Sequence, residues 1–422
     1  MVNPVFTRIR QSLDVVPVVD VHSHLGTSGL WQARTLADLA SYHWLSVEVA
    51  RAAGRRIEAD PQDNPSAYMR EVLPFFPAIR NTANHFAFMG LLRDLYGTKG
   101  STLTEDNWHT ADEAVREHAH DPRWLSHVLD RAQIRKVLVC YEEVPPASSE
   151  CFVPYEYGEY LYMADSLDAL KRVALPSTLL PETPADLEKA IVGKVAWLAA
   201  SHGVRALHIA RYGAWAYSPA SLPVVGAALG RLLRGKELSL RERGALISFC
   251  ADVTAAAAAQ HGMVLQLFHG SVCHTTANAV GNVSYWDPQF LRTHASHFHK
   301  HPDTRFDLFL GTRIPSHEAT TLARVYANVM TSGAWWHAFT PSTMMLFFRD
   351  RLEMLPNTAW NAFFSDGYLV EWVYGKLLVT KNRLSYALAG MVEEGFLAED
   401  DAVDIGSSLL YANPVAAYGL KT

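Results

Sequence analysis

Two histidines one residue apart are the first residues in this sequence whose types and spacing could do chemistry. The segment VVDVHSHLG (18–26) places Asp20, His22 and His24 at alternate positions of an apolar run. Since side chains alternate between the two faces of a strand, these three residues share one face. Two neutral imidazoles on one face provide half of a metal site. Alternatively, His22 and His24 could be hydrogen-bonded histidines of the core that bind no metal.

A carboxylate near the other end of the chain could complete such a site. WNAFFSDGYLVEW (360–372) places Asp366 after an apolar run and before a glycine. A carboxylate there can ligate a divalent cation and accept a proton. Alternatively, Asp366 could cap a helix that begins near Tyr368. In a closed barrel the first and last strands are adjacent, which would bring His22, His24 and Asp366 together and favours a metal.

The elements that would position these residues follow a repeating pattern. Eight short β-branched runs recur, the third being RVALPS (172–177), and several are separated by amphipathic stretches typical of β/α units. We predict an α/β protein, a single (β/α)8 TIM barrel over 1–422, with a doubly wound sheet as the alternative. More than a hundred residues of mostly helical pattern separate the first two runs. We therefore predict a helical insertion at about 31–130 that covers the barrel mouth.

Charge and composition argue against several classes of partner. The 422 residues carry a formal net charge of −6, and 49% of them are hydrophobic. Because no Lys/Arg-rich run is present, we expect no nucleic-acid partner. No apolar stretch is long enough to cross a bilayer and no signal peptide is indicated, so we expect no membrane association. The four cysteines are scattered, which is typical of reduced thiols in a cytoplasmic protein.

Several motifs together resemble one enzyme superfamily. VVDVHSHLG, the Gln before His in LQLFHG and the late FFSDGYLVEW look like the amidohydrolase superfamily. Within it, SYHWLSVEVARAAG (41–54) and GAWWHAFTPSTM (333–344) resemble segments of the uronate isomerases. The resemblance implies one divalent metal ion held by His22, His24 and Asp366. Such a donor set accepts Zn²⁺, Mn²⁺, Fe²⁺ or Ni²⁺, of which we favour Zn²⁺. It also implies that Asp366 moves protons and that Tyr42 contacts a small-molecule substrate, a sugar acid; a homo-oligomer is left open.

Two departures from the superfamily pattern concern the number of metal ions. The lysine that bridges two metals in many hydrolases of the superfamily is replaced here by His208. The sixth strand, in FDLFLGTRIPSH, has no histidine before Gly311. Both departures point to one ion, as in uronate isomerases. His208 itself is either a further ligand or a satisfied interior histidine.

The fifth strand also departs from the pattern. The superfamily places a histidine two residues after the glutamine, but here His269 comes three residues after Gln266. Strict alternation turns His269 away from Gln266, whereas a β-bulge would return it to the site. We predict that His269 takes part in binding the metal or the substrate.

A third departure concerns substrate recognition. Uronate isomerases carry an arginine two positions after the last-strand Asp, where it can pair with the carboxylate of the sugar. Tyr368 stands at that position here. Arg211 and Arg313, at predicted strand ends, are therefore candidates for pairing with a sugar acid. A solvated salt bridge is the alternative role for each.

The sequence is compatible with three functions. The first is aldose–ketose isomerisation of a sugar acid. The second is hydrolysis of an amide, ester or lactone, with Asp366 accepting a proton from water activated by a metal. The third is a scaffold whose histidines are structural.

A histidine-rich segment is expected to lie away from the chemistry. THASHFHKHPDTRF holds four histidines, and we predict a solvated loop or helix end at the amino end of the barrel. These histidines are His294, His297, His299 and His301.

Overall fold

Eight parallel strands form the central sheet. The computed structural model describes residues 3–144, 150–210, 215–276, 279–284 and 288–421, and for 43, 271–276, 279–284 and 288 it describes the backbone alone. The strands are β1 (Val18–Asp20), β2 (Ile134–Cys140), β3 (Phe152–Tyr157), β4 (Ala206–Ile209), β5 (Val264–His269), β6 (Ser271–Thr276), β7 (Ala279–Ser284), β8 (Arg305–Leu310), β9 (Val329–Ser332) and β10 (Trp360–Asn361). The sheet order is β1-β2-β3-β4-β5-β8-β9-β10, and β6 and β7 form a separate antiparallel hairpin.

Backbone hydrogen bonds join the two ends of this sheet. Just beyond β10 and β1, Asp366 N donates to His22 O and His24 N donates to Gly367 O, both at 2.9 Å. The first and last barrel strands are therefore neighbours. The predicted (β/α)8 barrel is confirmed for the described part of the chain.

Helices cover the outside of the barrel. They are α1 (Pro4–Asp14), α2 (Leu36–Ala40), α3 (His43–Ala53), α4 (Pro65–Val72), α5 (Ala83–Tyr96), α6 (Trp108–His118), α7 (Trp124–Arg131), α8 (Glu159–Tyr162), α9 (Leu167–Ala174), α10 (Pro184–His202), α11 (Leu222–Leu233), α12 (Leu240–Gln260), α13 (Pro288–Lys300), α14 (Ser316–Val325), α15 (Pro341–Met354), α16 (Val370–Glu393), α17 (Glu399–Ser407) and α18 (Asn413–Tyr418). Capping boxes start α10 at Thr183 and α12 at Ser239, which fixes the helices that lead into β4 and β5. Among the described helices, none is long and apolar enough to cross a membrane.

Six helices, α2–α7, lie between β1 and β2, in the segment predicted to be helical. The buried carboxylate of Glu371, on α16, fastens this segment to the barrel. Its Oε1 accepts hydrogen bonds of 2.9 Å from Tyr96 OH and Trp124 Nε1. Since a buried carboxylate is costly unless it is hydrogen-bonded, these contacts hold the segment against α16. The same segment brings the hydroxyl of Tyr42 within 3.3 Å of Asp366 O.

The third barrel strand differs from the prediction. The first residues of RVALPS end helix α9, and the strand is instead FVPYEY (152–157). Pro154 argues against a strand in the sequence because it cannot donate a backbone hydrogen bond. Its carbonyl still accepts one from Arg205 N at 2.9 Å, so the proline fits the parallel ladder. This strand carries Tyr155 and Tyr157 toward the carboxyl end of the barrel.

The histidine-rich segment is mostly helical, and the prediction of a solvated loop or helix end was wrong for its central part. His294 and His297 are fully buried on α13, whereas His299 is exposed. His294, His297 and His301 have i, i+3, i+7 spacing, which places them on one helical face. That face packs inward, since the rings of His297 and Phe306 of β8 lie 5.3 Å apart.

Candidate metal centre

Three side chains meet at the carboxyl end of the barrel. His22 and His24 follow β1, and Asp366 follows β10. Nε2 of His24 lies 3.1 Å from Asp366 Oδ1, and Nε2 of His22 lies 3.7 Å from the same oxygen. The ligand atoms of all three lie within 4.8 Å of one another, a spacing that one metal ion can bridge. We call His22, His24 and Asp366 the mouth trio.

The carboxylate of Asp366 is held so that its two oxygens face different partners. Oδ2 accepts hydrogen bonds from the indole N–H groups of Trp335, at 2.9 Å, and Trp336, at 2.8 Å. Oδ1 is thereby directed at the two imidazoles. The φ angle of Asp366 is 52°, in the left-handed region that non-glycine residues rarely adopt. Such strained residues cluster at functional sites, where the surrounding contacts hold them in place.

Neighbouring side chains orient both imidazoles. His22 Nδ1 lies 3.2 Å from Gln266 Oε1, and because this oxygen only accepts, Nδ1 carries the proton. The amide of Gln266 is itself fixed, since its Nε2 donates to Val21 O at 2.7 Å. His24 Nδ1 lies 2.6 Å from the hydroxyl of Tyr157. His22 Nε2 is buried without a hydrogen-bond partner among the described residues, as expected for an atom that binds a metal.

The surroundings also set the protonation states of the mouth trio. Burial lowers the pKa of His22 well below its usual value, so this imidazole is neutral at neutral pH. Burial by itself raises the pKa of Asp366, but the nearby His24 and its hydrogen bond outweigh burial and hold that pKa below the usual range. A neutral imidazole and an ionised carboxylate are the forms in which these side chains ligate metals.

His208 and His269, the two further predicted ligands, lie in different places. His208 stacks on His22 with ring centroids 4.0 Å apart, and its Nδ1 lies 3.3 Å from Gln266 Oε1. It therefore stands beside the mouth trio without joining the described ligand atoms that converge within 4.8 Å. The ring of His269 stacks on Phe290 of α13 at 3.9 Å. Because β5 pairs with β8 in unbroken register, no bulge turns His269 toward Gln266.

Tyr42 reaches the same region from the helices between β1 and β2. Its hydroxyl donates to Asp366 O at 3.3 Å and accepts from Tyr368 N at 3.2 Å. The ring of Tyr368 stacks on that of His24, with centroids 4.7 Å apart. Both tyrosines line a cavity of about 500 Å³, and the guanidinium-bearing Arg34 is the cation in its described lining. This cavity therefore adjoins the mouth trio.

The two arginines predicted to bind substrate are not brought to this cavity by the described contacts. Arg313 lies in the turn after β8 and is exposed. Arg211 lies outside the described residues. A substrate role for either arginine stays a prediction.

Sequence reasoning missed the residues that hold the mouth trio in place. Trp335 and Trp336 stand in a Trp-rich segment, but adjacent residues of an extended chain point in opposite directions and do not predict a shared partner. Both residues follow β9 in a turn, which brings the two indoles to one carboxylate oxygen. The sequence did contain one indication of the strand that supports His24. Tyr155 and Tyr157 are two residues apart, which is typical of a strand with one polar face.

Comparisons with known proteins concern the fold. No protein-family model matches the chain, and no curated protein matches it in sequence. A solved uronate isomerase from Thermotoga maritima has a TM-score of 0.85 at 14% identity, covering 99% of this chain and 98% of that one. The glucuronate isomerase of Caulobacter crescentus has a TM-score of 0.82 at 16% identity, with 100% and 96% covered. A uronate isomerase from Bacillus halodurans C-125 has a TM-score of 0.73 at 16% identity, with 100% and 98% covered. Along nearly its whole length, this chain has the fold of these solved isomerases.

Proposed function

We propose that this protein is a metal-dependent isomerase that interconverts the aldose and ketose forms of a sugar acid. The observation that carries the proposal is the convergence of His22, His24 and Asp366 at the mouth of a barrel that matches solved uronate isomerases over its full length. Active sites of such barrels lie at the carboxyl ends of the strands. The mouth trio stands at that end.

The mouth trio would hold one divalent ion through two imidazole nitrogens and one carboxylate oxygen. This donor set suits Zn²⁺, and also Mn²⁺, Fe²⁺ or Ni²⁺ according to supply, with Zn²⁺ our proposal. We propose that His208, which stacks on His22 in the barrel interior, is a further contact of this ion. When bound, the ion supplies positive charge beside the oxygens on which negative charge develops during isomerisation.

Asp366 is the residue of this chain to which we assign the proton transfer. The reaction takes a proton from the hydroxyl-bearing carbon next to the aldehyde and returns it to the former aldehyde carbon, while the proton of that hydroxyl moves to the former aldehyde oxygen. Asp366 is ionised, because its pKa is held below the usual range despite burial, so it can accept that proton. Trp335 and Trp336 hold the carboxylate in one orientation throughout.

Tyr42 is proposed to contact the substrate while it holds the backbone around Asp366. Its hydroxyl bonds the peptide groups of both Asp366 and Tyr368, and its ring stacks on Trp372 at 4.6 Å. We propose that the helices on either side of Tyr42 also cover part of the mouth. An isomerase needs such cover because water would otherwise compete for the reactive intermediate.

The carboxylate of a sugar acid needs a cation near the mouth. Arg34 lines the cavity shared by Tyr42 and Tyr368, and Tyr368 in turn stacks on His24. A guanidinium can pair with a carboxylate through two parallel hydrogen bonds. We therefore propose Arg34 as the first partner of the substrate carboxylate, and retain Arg313 and Arg211 as further candidates.

A uronate panel tests the proposed function. Zinc-loaded protein is incubated with hexuronates in D₂O, and ketose formation and deuterium incorporation at carbon are followed by NMR. We expect both for at least one uronate, and neither for Asp366→Asn. Absence of both across the panel, together with turnover of a lactone or N-acyl panel, would establish the hydrolase alternative instead.

Location and assembly belong to the same proposal. The scattered cysteines favour a cytoplasmic location. A homo-oligomer is common among soluble enzymes and is checked by light scattering of the purified protein.

A further inference from the structure

A second group of metal-ligating side chains lies between two helices, away from the mouth. Asp252 stands on α12, His297 on α13, and His301 directly after α13. Asp252 Oδ1 lies 3.1 Å from His297 Nδ1 and 2.9 Å from His301 Nε2. The ligand atoms of these three residues lie within 4.8 Å of one another. We call Asp252, His297 and His301 the lateral trio.

Four side chains converge on the carboxylate of Asp252. Besides the two imidazoles, the hydroxyl of Tyr217 lies 3.0 Å from Oδ1 and 3.3 Å from Oδ2. The half-exposed ammonium of Lys300 lies 2.6 Å from Oδ2. A single cation held by Asp252 Oδ1, the two imidazoles and the Tyr217 hydroxyl would take one lone pair from each of these four atoms.

The imidazole of His297 is oriented as metal-binding imidazoles are. Its Nε2 lies 2.9 Å from the hydroxyl of Tyr162, which leaves Nδ1 directed at Asp252. A hydrogen bond to the distal ring nitrogen is the usual way in which proteins fix a ligating histidine.

We propose that the lateral trio is a second divalent-metal site, of the zinc class, with the hydroxyl of Tyr217 in the fourth position. Tetrahedral Zn²⁺ places its ligand atoms about 3.3 Å apart. Asp252 Oδ1 lies 2.9 Å from the His301 nitrogen, 3.0 Å from the Tyr217 hydroxyl and 3.1 Å from the His297 nitrogen. The site would join α12 to α13 and to the segment after β4 that carries Tyr217. It is closed by four protein groups, which is the pattern of a structural rather than a catalytic site. The proposal uses no residue of the mouth trio and does not depend on the proposed function.

Zinc counting in a chain without the mouth site tests this proposal. His22→Asn/His24→Asn protein is stripped with chelator, reloaded with Zn²⁺, desalted and analysed for metal. We expect one zinc per chain in this background, and loss of that zinc when His301→Gln is added. His299→Gln is the matched control, because this exposed histidine lies on the same helix outside the lateral trio, and it should retain the zinc.

Two further measurements distinguish loss of the metal site from a folding defect. Co²⁺ in the same background should give the visible absorption of a tetrahedral site, and His301→Gln should abolish it. Zn²⁺ should raise the Tm of the background protein and not that of the His301→Gln form. No bound zinc in the background, or zinc retained equally with His301→Gln and Asp252→Asn, would show that the lateral trio is only a hydrogen-bonded brace.

Discussion

The mouth trio and the lateral trio have the same donors, two imidazoles and one carboxylate, but differ in what holds the second carboxylate oxygen. In the mouth trio, Oδ2 of Asp366 accepts from the neutral indoles of Trp335 and Trp336. In the lateral trio, Oδ2 of Asp252 pairs with the cation of Lys300. Neutral donors orient a carboxylate without cancelling its charge, whereas a cation in direct contact partly cancels it. The buried Lys376 also acts on the charge of Asp366, but its ammonium lies over the Trp336 ring at 4.7 Å. We therefore expect the mouth trio to bind a dication more tightly than the lateral trio.

The two trios also differ in the elements that supply them. The mouth trio comes from strand ends at opposite ends of the chain and opens beside a cavity of about 500 Å³. The lateral trio comes from two helices and is closed by Tyr217 and Tyr162. We propose that position in the fold, rather than residue type, separates the catalytic site from the structural one.

The largest expected contrast is between the two carboxylates. Asp366→Asn should lower isomerase turnover by roughly 10²–10⁴-fold, because it removes both a ligand and a proton acceptor. Asparagine tolerates the left-handed backbone at this position, so the fold should persist. Asp252→Asn should leave turnover within about twofold, since it touches no substrate. Steady-state kinetics of both variants measures this difference in turnover. Equal losses of turnover in the two variants would contradict the expectation.

The tyrosines behind the histidines give the second contrast. Tyr157→Phe removes the partner of His24 Nδ1 and should weaken zinc binding at the mouth about 10–100-fold. Tyr162→Phe removes the matching partner of His297 and should weaken only the lateral site. Competition titrations with a zinc chelator measure both affinities. If Tyr157→Phe leaves the zinc affinity of the mouth trio unchanged, Tyr157 does not support metal binding there.

The barrel interior beneath the mouth trio should respond to pH in a defined direction. Asp307 Oδ2 accepts from Tyr418 OH at 2.7 Å and from Ser332 Oγ at 2.6 Å, and burial raises the pKa of Asp307 to about 6. A raised folded-state pKa means that Asp307 costs no stability below the unfolded value near 4, and that the cost appears as pH rises through about 6. Relative to wild type, Asp307→Asn should therefore gain on the order of 1–3 kcal/mol in unfolding free energy between pH 4 and pH 7. Urea unfolding across this range measures the difference, and a flat difference would show that Asp307 is not the titrating group.

The smallest expected effect concerns the cation of the lateral trio. Lys300 is half exposed, so its ion pair with Asp252 is worth at most about 1 kcal/mol. Lys300→Met should therefore tighten zinc binding at the lateral trio by a few-fold. Calorimetric titration of the His22→Asn/His24→Asn background with and without Lys300→Met measures this. Weaker binding in the variant would mean that Lys300 supports the site.

The parts of the fold and site that follow from strand periodicity could be predicted from the sequence. The spacing of His22 and His24 and the strand-end position of Asp366 required only that the first and last strands be neighbours, which the backbone bonds between them confirm. The third strand was missed because Pro154 removes a donor, a local cost that the parallel ladder tolerates here.

Contacts that join distant turns could not be predicted in the same way. The pairing of both Trp335 and Trp336 with one carboxylate depends on the turn after β9, not on alternation. His297 and His301 were misjudged because their helical spacing becomes informative only with Asp252 known to lie on the facing helix. The residue pattern of one helix or strand does not indicate which residues of another element lie opposite it.

The most direct test of the account is an anomalous diffraction map of zinc-loaded crystals recorded at the zinc edge. We expect a strong peak within about 2.0–2.2 Å of His22 Nε2, His24 Nε2 and Asp366 Oδ1. A map without density at that position, from crystals that contain zinc elsewhere, would contradict it.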